Sequence, residues 1–214
     1  IYHGKLGQGR YKSLAAGNFL DWDSVFQDES GTLLHCEIHI NSASRMNISY
    51  SETADKAEAE HTGTIVHIHG IPDEKIGFIT KMAEPMETIP DLLATFAPYL
   101  LAYTNITIKY NGVTVDPAQQ IKSQEDQELV YEEDGKEPIK ARLSAITWKE
   151  AQFNKLYICG SSGVVYAEMD YTPLKRTSTS LYLMGDLFEQ MHRDNTLAMG
   201  NTNPAYAYFE EEAK

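Results

Sequence analysis

Apolar positions follow two different spacings along the chain. In LLHCEIHI, Leu34, Cys36, Ile38 and Ile40 alternate with His35, Glu37 and His39. In MNISYS, Met46, Ile48 and Tyr50 alternate with Asn47, Ser49 and Ser51. A period of two sends successive side chains to opposite faces, which predicts an antiparallel sheet with one buried and one wet face. DWDSVFQ, ahead of the turn Asp28-Glu29-Ser30-Gly31, and GTIVHIHG, after a polar stretch, extend that set. Beyond Pro72 the spacing becomes helical. Residues 74–84 predict one helix, and Leu92, Leu93, Phe96, Leu100 and Leu101 mark another from Ile89 to Tyr103. Pro90 suits its first turn, whereas Pro98 predicts a kink or an interruption. NITIKYNGVTV reads as a hairpin, two β-branched runs joined by Asn111-Gly112 in a type I′ turn.

The remaining segments complete an α+β pattern. Residues 1–9 hold Gly4, Gly7 and Gly9 and predict a loop, followed by a short helical stretch from Arg10 to Asn18. Residues 116–137 are polar and acidic and are expected to be a linker or surface loop. IKARLSAITW, FNKLYICG and GVVYAEMD read as strands, and LYLMGDLFEQMHRD ends in a short helix. The expected architecture is an antiparallel sheet with helices on one face over residues 1–116, the acidic connection at 117–137, and a smaller α+β unit over 138–214.

Composition narrows the function classes. The 214 residues carry 18 Lys+Arg against 31 Asp+Glu, a formal charge of −13, which argues against broad binding to nucleic-acid phosphate while leaving a local basic patch open. Hydrophobic residues at 42% and charged residues at 23% are ordinary for a globular chain, which makes a buried core feasible and argues against wholesale disorder. No apolar run approaches the roughly 20 residues of a membrane helix, so no membrane is expected. Cys36 and Cys159 stand far apart in apolar contexts, as structural thiols rather than a disulfide or zinc motif, and a reducing cytoplasmic location follows as the default. The chain starts at Ile1, in a glycine-rich stretch and without an initiator Met, and reads as a piece of a longer protein.

Three groups of residues carry candidate chemistry. Closely spaced glycines ahead of a helix expose backbone N–H groups that bind phosphate, with Lys5, Arg10 and Lys12 adding charge; a flexible loop is the plainer alternative, and no Gly-Lys-Ser/Thr makes a P-loop here. His35, Glu37 and His39 project from one face of a predicted strand, and His67 and His69 from another. If those strands were aligned neighbours, they would form a metal site. The reading adopted is a polar outer sheet face with no metal. Carboxylate pairs such as Asp21/Asp23 are expected to be solvated in turns or acidic runs, and no nucleophile motif is present.

Two segments, in order, resemble the GHKL (Bergerat-fold) ATPases. HGKLGQGRYKSLAAGNFLDW looks like their ATP lid, and HTGTIVHIHGI like their later Gly-Thr strand, with a strand meander between. The leucine-rich helix and NITIKYNGVTVDP resemble the segment closing this domain in mismatch-repair-type ATPases and in proteins similar to the ninety-kilodalton heat-shock chaperones. ITWKEAQFNKLYICGSSGVVY resembles the start of the following transducer-like domain. The resemblance covers most of residues 1–170. It implies the C-terminal half of a Bergerat fold joined to part of a transducer domain, with ATP and Mg²⁺ as cofactors of the intact parent. It also implies that Gly4, Gly7 and Gly9 wrap the phosphates, with Arg10 and Lys12 as weaker additions, and that Gly63 and Thr64 lie near the adenine pocket. Lys175 or Arg176 is its candidate for a γ-phosphate contact, with a solvated loop the favoured reading. The family's catalytic carboxylate, Mg²⁺-binding Asn and adenine-binding Asp would all precede Ile1. The implied partner is therefore that N-terminal ATPase segment, with a homodimer possible through the parent, and the chain alone is expected to be inactive. A non-catalytic α+β interaction module and, behind it, a metal-dependent enzyme on the His-x-Glu-x-His strand are the alternatives.

Overall fold

A computed structural model describes residues 14–44, 48–50, 55–56, 61–150, 154–170, 174 and 177–213 and divides the chain between Met82 and Ala83. In the first unit, β1 (Phe19–Gln27), β2 (Leu33–Asn41), β3 (Ile48–Tyr50), β4 (Asp55–Lys56) and β5 (Gly63–His69) form one antiparallel sheet ordered β3-β2-β1-β5, with β4 also on β2. β1 and β2 are joined through an Asp28 turn. Its carboxylate accepts from the Ser30 amide at 2.9 Å, the Ser30 hydroxyl at 2.7 Å and the Thr32 amide at 2.9 Å. These donors, the Ser30 hydroxyl first, hold the Asp28 carboxyl below its ordinary range.

The register sorts the side chains of this sheet. Trp22 faces Ile38 on one side and Val66 on the other, and Leu20 faces Ile40 and Ile68. Even-numbered positions thus form the apolar face, where Leu20 and Ile40 are buried with Leu14 and packed by Trp22 and Ile38. Cover there is incomplete: Val66 and Ile68 remain 40% and 37% exposed. The helix α1 (Asp73–Met82) buries no residue.

The second unit begins with α2 (Pro85–Ala102), the hairpin β6 (Ile108–Tyr110)–β7 (Val113–Val115) and one turn of helix, α3 (Pro117–Gln120). Asn111 and Gly112 have φ of 46° and 79°, the two positive values a type I′ turn requires. β8 (Ile121–Tyr131), β9 (Ile139–Trp148), β10 (Lys155–Cys159), β11 (Val165–Asp170) and β12 (Thr179–Met184) make a five-stranded sheet ordered β11-β10-β12-β9-β8. It is mixed, because β10 and β12 run parallel. α4 (Asp186–Arg193) and α5 (Pro204–Glu212) follow.

Both faces of this second sheet are covered. Leu156, Ile158 and Leu183 pack with Phe188 and Met191 of α4 and Phe209 of α5 on one side. Tyr157, Cys159, Tyr182, Ile146 and Trp148 pack with Ala94 and Ala97 of α2 on the other. That is why LYIC and LYLM are continuously apolar: a strand buried on two faces has no wet position to alternate.

Several expectations change here. The chain is α+β, with one antiparallel sheet and one largely antiparallel sheet, but the helices of the second unit lie on both faces and that unit is the longer one. The acidic stretch expected as a linker is α3 and the 11-residue strand β8, paired with β9 from Ile121 to Tyr131. Its Glu125, Asp126 and Glu128 are exposed on a sheet edge, where charge discourages pairing with other chains. The leucine-rich helix and the Asn-Gly hairpin fall in the second unit, because Ala94 and Ala97 pack on its sheet. Nor does Pro98 interrupt α2. Lacking an N–H, Pro98 leaves the Ala94 carbonyl without its helical donor, and the fully buried Tyr182 hydroxyl donates to that oxygen at 2.8 Å. Both cysteines are free thiols; Cys159 is buried, with its thiol pushed up by desolvation, and Cys36 is half-buried.

Candidate functional site

The odd-numbered positions of the first sheet bring carboxylates and imidazoles to one face. The β1–β2 register sets Asp21 opposite His39 and Asp23 opposite Glu37, while β5 sets His67 opposite Asp21. β2 and β5 are not neighbours; β1 runs between them and contributes both aspartates. His35 donates from Nε2 to Asp23 Oδ1 at 2.6 Å. His39 donates from Nδ1 to Asp21 Oδ1 at 2.8 Å, and His69 from Nε2 to Asp21 Oδ2 at 2.7 Å. Asp21 thus bridges two imidazoles, one on each neighbouring strand. His69 also stacks on Phe19 at 5.2 Å between ring centres.

Electrostatics follow that geometry. The hydrogen bond from His39 holds the Asp21 carboxyl below its ordinary value, with His69 adding to the effect. Reciprocally, the Asp21 hydrogen bond raises His39, whose Nε2 lies 3.5 Å from Glu37 Oε2. With an acceptor at each ring nitrogen, His39 is best satisfied as the imidazolium. Asp23, His35 and Glu37 each offer a donor atom within 4.8 Å of the others, a set with the reach of a metal site.

The apolar face of the same sheet carries a second feature. Gly63 and Thr64 open β5, and Thr64 Oγ1 lies 3.0 Å from Ser24 Oγ on β1. Gly63 is turned to the opposite, odd-numbered side, where a Cβ would meet nothing within 4 Å, whereas Thr64 and Ser24 lie on the apolar face. On the same face, the buried Trp22 Nε1 finds no acceptor among the described residues.

The candidate residues are therefore divided. Gly63 and Thr64 are together on β5, whereas Gly4, Gly7, Gly9, Arg10, Lys12, Lys175 and Arg176 lie outside the described residues. Asp21 and Asp23, expected in solvated turns or acidic runs, lie mid-strand as partners of His39, His69 and His35. The signal for this was local. In DWDSVF, the aspartates flank Trp22 at a spacing of two, as on the wet face of an alternating strand. No family model matches the chain, and no curated protein matches it.

Proposed function

We propose that this chain is the lid-to-transducer part of a GHKL-type ATP-binding protein similar to the ninety-kilodalton heat-shock chaperones, relaying nucleotide state to its second unit. The observation that carries the reading is the Gly63-Thr64 start of β5. It lies antiparallel to β1, with the Thr64 hydroxyl paired to Ser24 on the half-covered apolar face. Val66 and Ile68, exposed beside buried Leu20, support a face that further chain would cover. The donors of this reading are a Thr hydroxyl at a strand end and, as the resemblance implies, lid glycines whose backbone N–H groups take phosphate oxygens. In such proteins bound ATP with Mg²⁺ supplies the phosphoryl group whose presence or loss sets the lid. In this reading hydrolysis belongs to residues outside the sequence, because no residue here matches a general base or a Mg²⁺ ligand. Lid closure and transducer movement would then be two states selected by the nucleotide.

The first test is the coding sequence upstream of Ile1, expected to hold a Glu-x-x-x-Asn helix and an Asp-x-Gly motif. The protein extended by that segment should hydrolyse ATP, with KM raised by Thr64→Ala. The 214-residue chain alone should show no turnover and weak nucleotide binding by calorimetry. Tight ATP binding by the chain alone, or an upstream sequence without those motifs, would overturn the reading.

A further inference from the structure

The wet face of the first sheet holds a donor set that the nucleotide reading does not use. Asp23 and Glu37 are directly opposite across the β1–β2 ladder, and His35 is diagonal to Asp23, two positions before Glu37. Carboxylates directly opposed on an antiparallel pair repel one another, a cost that a shared cation removes. One imidazole nitrogen and one oxygen from each of two carboxylates lie within 4.8 Å of one another on the wet face. His35 is 33% exposed and Asp23 44%, open enough to admit a hydrated ion and to leave water in its remaining positions.

We infer that Asp23, His35 and Glu37 form a binding site for a divalent transition-metal ion of the zinc type. The donor chemistry selects the class. An imidazole favours zinc, cobalt or nickel over calcium or magnesium, while the two carboxylates supply charge neutralisation. The neighbouring groups hold the ligands in place. Glu37 is 3.5 Å from His39, which is anchored to Asp21, which in turn receives His69. Outer partners of this kind fix the orientation of ligating side chains. All three ligands rise from regular strands, and the ion replaces the proton that His35 Nε2 now donates to Asp23, which leaves to solvent as the metal binds. The site faces away from Thr64, since odd and even positions of the sheet point to opposite sides. Metal binding is therefore independent of nucleotide and distinct from the Mg²⁺ that accompanies ATP.

The test is calorimetric titration of the full 214-residue chain with Zn²⁺ after chelator treatment, followed by histidine-ring NMR. One equivalent is expected to bind in the absence of nucleotide and to perturb the His35 ring. His35→Ala and Glu37→Gln should each weaken binding by about tenfold or more. Glu37 is exposed, so Glu37→Gln remains informative if His35→Ala fails to fold. His192→Ala, on an exposed position of α4, should leave the affinity unchanged. The proposal is overturned by absence of saturable binding, by full affinity in Glu37→Gln, or by loss of binding only on replacing His3 or His61. A competent ATPase parent with no zinc site would sink this inference alone, and zinc binding without any ATPase segment would sink only the nucleotide reading.

Discussion

Two five-stranded sheets in one chain solve the problem of burial in opposite ways. The second is covered on both faces: Phe188 and Phe209 lie fully buried against one, and Trp148 and Tyr182 against the other. The first has one face that carries the Asp and His side chains and an apolar face in which, among the described residues, only Leu20, Ile40 and Leu14 are buried. The difference teaches where each unit's stability resides. In the second, it lies in dense apolar packing around central strands. In the first, it lies in the ladder and in charged hydrogen bonds across the wet face, which contribute little each but orient chemically capable groups.

The contrast breaks most readily at Phe188. Phe188→Ala should cost about 3–5 kcal/mol by denaturant melting, because a fully buried aromatic leaves a cavity in close packing. Val66→Ala on the first sheet should cost about 1 kcal/mol or less, since the side chain is already partly in water. Equal losses would mean that the apolar face of the first sheet is as well covered as the second.

A more selective test concerns Pro98 and Tyr182. Tyr182→Phe removes the donor to the Ala94 carbonyl and should cost about 1–3 kcal/mol, the penalty of an orphaned buried acceptor. In a Pro98→Ala background the restored helical N–H can serve that carbonyl, so the cost of Tyr182→Phe should shrink. Strict additivity of the two changes in a double-mutant cycle would refute the pairing.

The smallest expected effect is on the wet face of the first sheet. His39 is raised from 6.5 by Asp21, so its contribution is full below that ordinary value and disappears as pH climbs through the raised folded value. Asp21 is lowered from 3.8, so its contribution is full above 3.8 and disappears as pH falls through the lowered value. The pair therefore stabilises most between those two ordinary values, with Glu37 and His69 as its neighbours. For side chains this exposed, the gain is a few tenths of a kcal/mol. Chelator-treated protein should melt slightly lower at about pH 8.5 than at about pH 5.5, and His39→Gln should reduce that difference. An unchanged pH profile in His39→Gln would show that other groups set it.

Much of this was legible in the residues. The alternation from Leu34 to Ile40 marked a strand with a wet side, the unbroken LYIC and LYLM runs belong to strands covered twice, and Asn111-Gly112 announced its turn. The misread segment was IKSQEDQELVY. An edge strand needs apolar residues only where it meets a core, here at Leu129 and its neighbours, so its composition is that of a loop. Of the kink or interruption expected at Pro98, the interruption does not occur, for a different reason. The rule that proline breaks a helix assumes an unsatisfied carbonyl, and Tyr182, distant in the chain, satisfies it.

Side-chain parity is a local property, and the sequence by itself determined that His35, Glu37 and His39 share one face and Leu34, Cys36, Ile38 and Ile40 the other. Strand order is not local. Only the tertiary structure inserted β1 between β2 and β5, and that insertion turned Asp21 and Asp23 into partners of three histidines. The physical reason is that backbone ladders are indifferent to which strand they join; the choice comes from burying Leu20, Ile40 and Leu14 together on the opposite face. The apolar side of the sheet thus selected the register, and the register assembled the polar side.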